Sequence, residues 1–378
     1  MVVTGMAAGA AVLWSGVLLA PWRAWSTKER LDGDGDAGGG RVDCSGVTAL
    51  IPARDEAPVL ARTIAALRDQ GPGIEIVVIN DQSADDTADI ARSAGGPSCR
   101  VITGTPMPDG WVGKMWALEQ GRRLVRTPLT LLLDADIELR PGIVGALLAR
   151  RRADGRQLLS LMAVLEMDSL WDKLLIPAFV YFFKLLYPFR LSNSPNRFVA
   201  AAAGGCVLVE TAALERIGGF AAVRGELIDD CALARKIKNA GGRTWIGMTH
   251  SAISRRRLGT LRASWRMVER SAFAQLHFSA LLLVCCVALL VIAFWAAPVA
   301  WIAGTSPARW LATGAVAAMI ASYVPVLRFY GRSPLWALAL PVTGTLYLLM
   351  TVSSAIRSWR GVGATWKGRT YGALHPRS

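Results

Sequence analysis

Four long stretches without a single charge constrain this chain more than any other feature. They cover residues 2–20, 280–303, 310–327 and 335–356. A hydrocarbon core about 30 Å thick is crossed by about 20 residues of helix, so each stretch can span a membrane. The hydrophobic share of 53% fits this, since soluble domains usually stay below about half. Lys and Arg number 42 against 28 Asp and Glu, a net charge of +14. Beside membrane spans, that excess points to anionic lipid or a phosphorylated substrate. No zinc-finger spacing and no basic-aromatic motif supports a nucleic-acid partner. The six cysteines form no C-x-x-C pair and no disulfide framework, which fits a reducing compartment. The three histidines, His250, His277 and His375, are too scattered for a histidine-built metal site.

The spans organise the rest. Arg23, Lys28 and Arg30 follow the first stretch, and positive residues favour the cytoplasm. Residues 1–22 therefore read as an anchor of the inner (cell) membrane, with cytoplasmic chain after it. A signal peptide would carry its charge ahead of the apolar run. Residues 23–46 read as a flexible linker containing LDGDGDAGGGR, whose D-x-D-x-D spacing lacks the glycine and glutamate of a calcium loop. Residues 170–191 are apolar but broken by Asp172, Lys173, Pro177, Lys184 and Pro188, so an interfacial segment is expected. In 255–278, Leu258, Leu261, Trp265 and Val268 recur at helical spacing beside Arg262, Arg266 and Arg270. This predicts a basic amphipathic helix over 255–271, lying on the membrane surface or packed with a solvated basic face. Residues 279–356 form a membrane region of two or three spans, and 357–378 a basic tail. Three full crossings would put that tail outside, against the positive-inside rule.

Between these segments, 47–254 alternates strand and helix. Strands are expected at 47–53, 74–80, 98–103, 129–135, 158–166 and 206–210. A helix is expected over 57–70, another behind Ser83 with Asp86 in capping-box position, and another opened by Pro141. The pattern predicts an α/β domain with an open, mostly parallel sheet, and ligands sit beyond the carboxyl ends of such strands.

Residues at those ends carry the chemistry. In LLLDADIE, Asp134 and Asp136 lie two apart at a strand end, where alternate side chains share a face. Two carboxylates make a hard oxygen site for Mg²⁺ or Mn²⁺. Asp81 ends the second strand, where an acidic group either accepts hydrogen bonds from a nucleoside or caps a helix. Asp55 and Glu56 follow the first strand. Lys114 opens a helix, suited to a diphosphate or to solvent. The small-residue loop 200–205, with Gly204 and Gly205, permits close approach of a ligand or simply tight packing. Asp229 and Asp230 precede a helix. Adjacent carboxylates raise one another's pKa, as a general base requires, although they also suit a helix N-terminus.

The order PARDE, NDQSADDT, GKMWALEQG, DAD, AAAGG and IDDCALA resembles the family 2 glycosyltransferases of GT-A fold, over about residues 47–250. LLIPAFVYFFKLLYPFR, IDDCALARKIK, WRMVERSAFAQL and the WKGRTY of the tail resemble the hopene-associated members of hopanoid-producing bacteria. The resemblance implies a Rossmann-like mixed sheet and a nucleotide-diphosphate-sugar donor. It implies Asp81 on the base, Lys114 on the nucleotide, Asp134 and Asp136 on the metal, and Asp230 as base. Asp229 stands where relatives often have Glu, and Asp55 replaces the Asn of P-A-R-N-E. The Q-x-x-R-W motif of processive synthases is absent as such, with Arg266 and Arg270 in that region.

The expected function is metal-dependent, inverting transfer of a sugar to a lipid acceptor, with a hopanoid as the candidate acceptor. The alternative is an inactive membrane scaffold that keeps the fold, against which the intact acidic residues argue. A nucleotidyltransferase would need a triphosphate-gripping motif near the first strand. A transporter would need charge pairs within its spans.

Overall fold

The computed structural model describes residues 1–33, 42–362, 365–367 and 369–370. Most of the expected linker segment 31–41 and the end of the tail lie outside the described residues. In chain order the elements are α1 (Val2–Leu19), β1 (Val47–Ala53), α2 (Ala57–Arg68), β2 (Glu75–Asn80), α3 (Thr87–Gly95), β3 (Cys99–Thr103) and α4 (Gly113–Arg122). Next come β4 (Leu129–Leu133), β5 (Ile137–Leu139), α5 (Ile143–Asp154), β6 (Leu158–Leu165), α6 (Leu170–Leu186), α7 (Phe189–Ser192), β7 (Cys206–Glu210), α8 (Thr211–Arg216), α9 (Asp229–Asn239) and β8 (Thr244–Ser254). The last are α10 (Leu261–Glu269), α11 (Ala272–Gln275), α12 (Ala280–Ala303), α13 (Ser306–Phe329), α14 (Leu340–Trp359), β9 (Thr365–Trp366) and β10 (Arg369–Thr370). They form two compact units. One holds residues 1–28, 167–190 and 258–364; the other holds 29–166, 191–257 and 365–378.

The second unit is built on an eight-stranded sheet in the order β3-β2-β1-β4-β7-β6-β8-β5. β1, β2, β3 and β4 pair in parallel, as do β6 and β8, while β7 and β5 run against their neighbours. Strand alternation sends neighbouring side chains to opposite faces. Ile51, Val78 and Leu131 pack under α2 and α5 with Leu60, Ile64 and Leu147. Leu50, Ile79 and Leu132 pack on the other face with Met115 and Leu118 of α4 and Ile237 of α9. Burial on both faces explains why the strands read as apolar runs rather than alternating ones. Residues 29–33, expected as the linker's middle, lie along β8. Leu31 N–H donates to Met248 O at 3.0 Å, and Asp32 accepts from Thr249 Oγ1 at 3.0 Å.

Three local expectations are corrected. α3 begins at Thr87, and Ser83 does not cap it; its hydroxyl instead accepts from Asp55 N–H at 3.1 Å. The helix behind Pro141 begins only at Ile143, because Gly142 takes a left-handed conformation at its N-cap. The amphipathic helix begins at Leu261 rather than at 255. β8 runs on to Ser254, Gly259 has φ of 67°, and the Thr260 side chain caps the helix by accepting from Ala263 N–H.

The first unit is helical. Among the described residues, four segments are long and apolar enough to cross a membrane: Val2–Leu19, Ala280–Ala303, Ser306–Phe329 and Pro334–Trp359. The segment expected at 170–191 is α6 and α7; α6 is started by a reciprocal Ser169–Asp172 capping box. α13 folds back on α12 across Gly304, with Ala297 and Ala300 packed on Ala308 and Ala312. α14 also runs antiparallel to α12: Trp295 Nε1 donates to Thr345 Oγ1 at 3.0 Å, while Leu283 packs with Ala355. The end of α14 meets the residues just ahead of α12, where Phe273 N–H donates to Ser354 Oγ at 3.0 Å. α13 and α14 thus run the same way where they meet α12, and residues 330–339 carry the chain back between them. The path from α12 to α14 therefore ends on the side where it began.

Candidate active site

The topology gathers one edge of the sheet. The carboxyl ends of β1, β2, β4, β6 and β8 point there, and β7, being antiparallel, presents its amino end. Asp55, Glu56, Asp81, Asp134, Asp136, Gly204 and Gly205 all stand at that edge, although they span 150 residues of sequence. Asp229 and Asp230 join them from the first turn of α9, and Lys114 from the first turn of α4.

Contrary to expectation, Asp134 and Asp136 do not lie on a strand. β4 ends at Leu133, and Asp134 O accepts from Ile137 N–H at 3.0 Å, closing a turn. Thr63 of α2 braces it by donating to Ala135 O at 2.7 Å. The pair is adjacent because the chain turns there to start β5 on the edge of β8, not because strand residues alternate. Asp136 accepts from Ser254 Oγ at 2.7 Å. Burial, and then the Asp134 charge, raise its carboxyl above the ordinary range, against the pull of Ser254 and Arg256.

Lys114 ties the strand side of the site to the helix side. Its Nζ is 2.6 Å from Asp134 Oδ1, 3.9 Å from Asp229 Oδ2, and donates to Gly204 O at 3.3 Å. Burial disfavours its charge. Asp134, Asp229 and Asp230 outweigh that and hold it well above an ordinary lysine, so it stays an ammonium. Asp230 accepts from Gly204 N–H at 2.8 Å and from Cys231 N–H at 2.7 Å. Burial and the neighbouring Asp229 charge nevertheless push it up to about 6, against those two N–H groups and Lys114. Gly204 is a glycine for space. A Cβ there would lie 3.2 Å from Lys114 Nζ and 3.4 Å from Asp230 Oδ2.

The loops after β1 and β2 are knitted together. Asp55 is in the left-handed region, with φ of 51°, and accepts from Ala84 N–H at 2.8 Å. Glu56 N–H donates to Thr87 Oγ1 at 2.9 Å. Asp81 is fully buried at the end of β2. Sequence reasoning passed over Arg54, whose Nη1 donates to Asp81 O at 2.7 Å and to Gln82 O at 3.3 Å. It also passed over Ser254 at the end of β8, Arg256 just beyond it, and Lys367 between β9 and β10. Arg54 stood within PARDE and Lys367 within WKGRTY; the other two had no local signal.

Asp134 and Asp136 fit an oxygen-preferring divalent cation. They are adjacent carboxylates, and the second is raised by burial and by the first, so a dication would relieve both. Among the described residues no cluster of three or more His, Cys, Asp or Glu forms a complete protein cage. Mg²⁺ commonly takes one or two carboxylates and draws further oxygens from water and substrate phosphate.

The family described as "Glycosyltransferase like family 2" matches residues 45–274. A 4,4'-diaponeurosporenoate glycosyltransferase of Staphylococcus haemolyticus is 33% identical over 93 residues, 25% of this chain and 24% of that one. Its counterpart in Staphylococcus aureus strain USA300 is 34% identical over 113 residues, 29% of each chain. The chain thus spans about a quarter of the length of the curated relatives it matches. Among solved structures, a mannosyltransferase from Pyrobaculum calidifontis, in complex with GDP-Man and Mn²⁺, superposes with a TM-score of 0.60 at 20% identity. That match covers 94% of this chain and 98% of the other.

Proposed function

This chain belongs to the family 2 glycosyltransferases and has the GT-A fold; on that premise we propose that it transfers a sugar from a nucleotide diphosphate sugar to a lipid acceptor at the cytoplasmic face of a membrane, with inversion. The observation that carries the reading is the edge cluster, in which Lys114 joins the Asp134 side of the site to Asp229 and Asp230.

In this reading Asp81, Asp55 and Glu56 receive the nucleotide, and Lys114, Gly204 and Gly205 line the sugar and diphosphate. Asp134 and Asp136 would hold Mg²⁺ or Mn²⁺. A bound divalent ion supplies charge neutralisation for the leaving diphosphate. Asp230, ionised above about pH 6, takes the proton of the acceptor hydroxyl. As the hydroxyl oxygen bonds to the anomeric carbon, the bond from that carbon to the diphosphate oxygen breaks. The electron pair leaves with the nucleoside diphosphate. A single displacement inverts the anomeric centre. Asp229 keeps Asp230 basic through like-charge repulsion, and Lys114 limits that effect.

The acceptor is inferred from the apolar helices and from curated relatives named for 4,4'-diaponeurosporenoate. The sequence resemblance makes a hopanoid the first one to test. This reading also puts the basic tail on the cytoplasmic side, because residues 365–367 and 369–370 belong to the same unit as the sheet. A basic tail beside a cytoplasmic catalytic unit obeys the positive-inside rule.

The test is nucleoside diphosphate release by the detergent-purified protein. UDP- and GDP-sugars would be supplied with Mg²⁺ or Mn²⁺, with and without total bacterial lipid. Release that needs metal, rises with lipid and is lost in Asp230→Asn is expected. Metal-dependent nucleotide binding with no release from any donor or lipid would favour the inactive scaffold.

A further inference from the structure

The tail reaches the site. β9 and β10 form a hairpin, with Trp366 opposite Arg369, and Lys367 sits at its turn in the left-handed region, with φ of 47°. Two contacts hold that turn. Arg54 Nε donates to Lys367 O at 3.2 Å, and Lys367 Nζ lies 2.7 Å from Glu56 Oε1 while donating to Asp55 O at 3.4 Å. Both partners are bound to the candidate donor site. The same Arg54 guanidinium holds the carbonyls of Asp81 and Gln82. The Glu56 carboxyl feels the charges of Asp136 and Arg256. Lys367 therefore meets Arg54 and Glu56, the first bound to the carbonyls at the end of β2 and the second within the field of Asp136, although 311 residues separate it from Glu56 in sequence.

The charge balance says what an ammonium there can do. Seven carboxylates, Asp55, Glu56, Asp81, Asp134, Asp136, Asp229 and Asp230, share the edge. A diphosphate ester entering it adds about two further negative charges. Lys114 is already engaged by Asp134, Asp229 and Asp230. Among the described residues Lys367 has one carboxylate partner, Glu56, and its side chain is 28% exposed. Burial, partly offset by Lys367, leaves the Glu56 carboxyl raised, so it can be left without its cation more readily than an ordinary carboxylate. A lysine is a compact charge on a flexible four-carbon stem, able to exchange partners without moving its backbone.

We infer that Lys367 is a donor-binding residue whose ammonium passes from Glu56 to the diphosphate of the nucleotide sugar, so that the hairpin after the last apolar helix completes a site begun by β1 and β2. The inference rests on the reading of this edge as a nucleotide-sugar site.

The experiment measures binding of UDP and of GDP, each with Mn²⁺, to the full-length protein in detergent. Wild type is compared with Lys367→Ala, Lys367→Arg, Asp134→Asn, Glu56→Gln and the double variant Lys367→Ala with Glu56→Gln. A charge-assisted contact to phosphate predicts a loss of about 10- to 100-fold in affinity for Lys367→Ala. Lys367→Arg should retain most of the affinity, which also reports intact folding. The double variant should stay as weak as Lys367→Ala. Nucleoside diphosphate should also slow tryptic cleavage after Lys367. Unchanged affinity in Lys367→Ala, with binding lost in Asp134→Asn, would overturn the inference and leave the donor site standing. Affinity restored in the double variant would overturn it too, because Lys367 would then merely neutralise Glu56. No binding of either nucleotide by wild type would overturn both readings.

Discussion

Lys114 Nζ lies 2.6 Å from Asp134 Oδ1 and faces Asp229 at 3.9 Å, so one half-buried ammonium joins the end of β4 to the start of α9. Removing one member of a buried ion pair costs about 3–5 kcal/mol, and solvent screening of this half-buried pair brings the loss below that range. Lys114→Met should lower the thermal midpoint clearly. Lys114 also holds Asp230 down, so its loss should raise the Asp230 pKa. The acid limb of the rate profile should move to higher pH in Lys114→Met; a limb that stays in place would show that Asp230 does not set it.

Asp230 should control the pH profile. As a base it works ionised, so turnover should rise with pH through about 6 and then level off. The stability sign is opposite. A carboxyl whose folded pKa is raised favours the folded state when protonated. Its contribution is therefore lost as pH rises from the ordinary carboxylate range through about 6. Asp230→Asn should cut turnover by about 10²–10⁴-fold and flatten that part of the stability profile, while nucleoside diphosphate binding persists. Retained full turnover would remove Asp230 from the mechanism.

Asp136 separates activity from stability. Its carboxyl is raised by burial and by Asp134, so without metal its charge is a net cost. Asp136→Asn should keep the Ser254 hydrogen bond, raise the thermal midpoint of the metal-free protein and abolish turnover. A gain of about 1 kcal/mol corresponds to about 2–4 °C in a domain of this size. Mn²⁺ should stabilise wild type, by mass action on the folded state, and leave the variant unmoved. Equal Mn²⁺ shifts in both would place the metal elsewhere.

Gly204→Ala tests the close approach. The added methyl would sit 3.2 Å from Lys114 Nζ and 3.4 Å from Asp230 Oδ2. Overpacking of this kind typically costs about 1–3 kcal/mol. Here the strain should fall on the position of the base. Turnover should drop more than nucleotide affinity does, and a fall in affinity alone would assign the loop to the donor instead.

The apolar runs marked the helices long and apolar enough to cross a membrane, and the strand ends marked most of the candidate site. That legibility has a physical source. A buried parallel strand must be apolar along its whole length, and its last residue must hand over to a polar loop. Asp55, Asp81 and Asp134 are therefore visible one at a time. Neighbours in space but not in sequence leave no such mark. Ser254 on Asp136, and Arg54 on both Asp81 and Lys367, depend on which strands pair and where a hairpin lands. Ser83 shows the reverse case. Its capping-box spacing was present, but Asp55 N–H offered its hydroxyl a partner from the adjacent loop.

The sequence by itself determined the long apolar helices and the α/β unit, the family, and the acidic residues at the strand ends, because composition and periodicity act locally. Only the tertiary structure decided three further matters. The antiparallel β7 brings Gly204 beside Asp134, whose N–H donates to Gly205 O at 3.0 Å. α13 and α14 both run against α12, which returns the chain to its starting side. Lys367 then meets Glu56 across 311 residues. Each depends on chain direction and strand order, which pairing energies summed over the whole fold select and no local window contains.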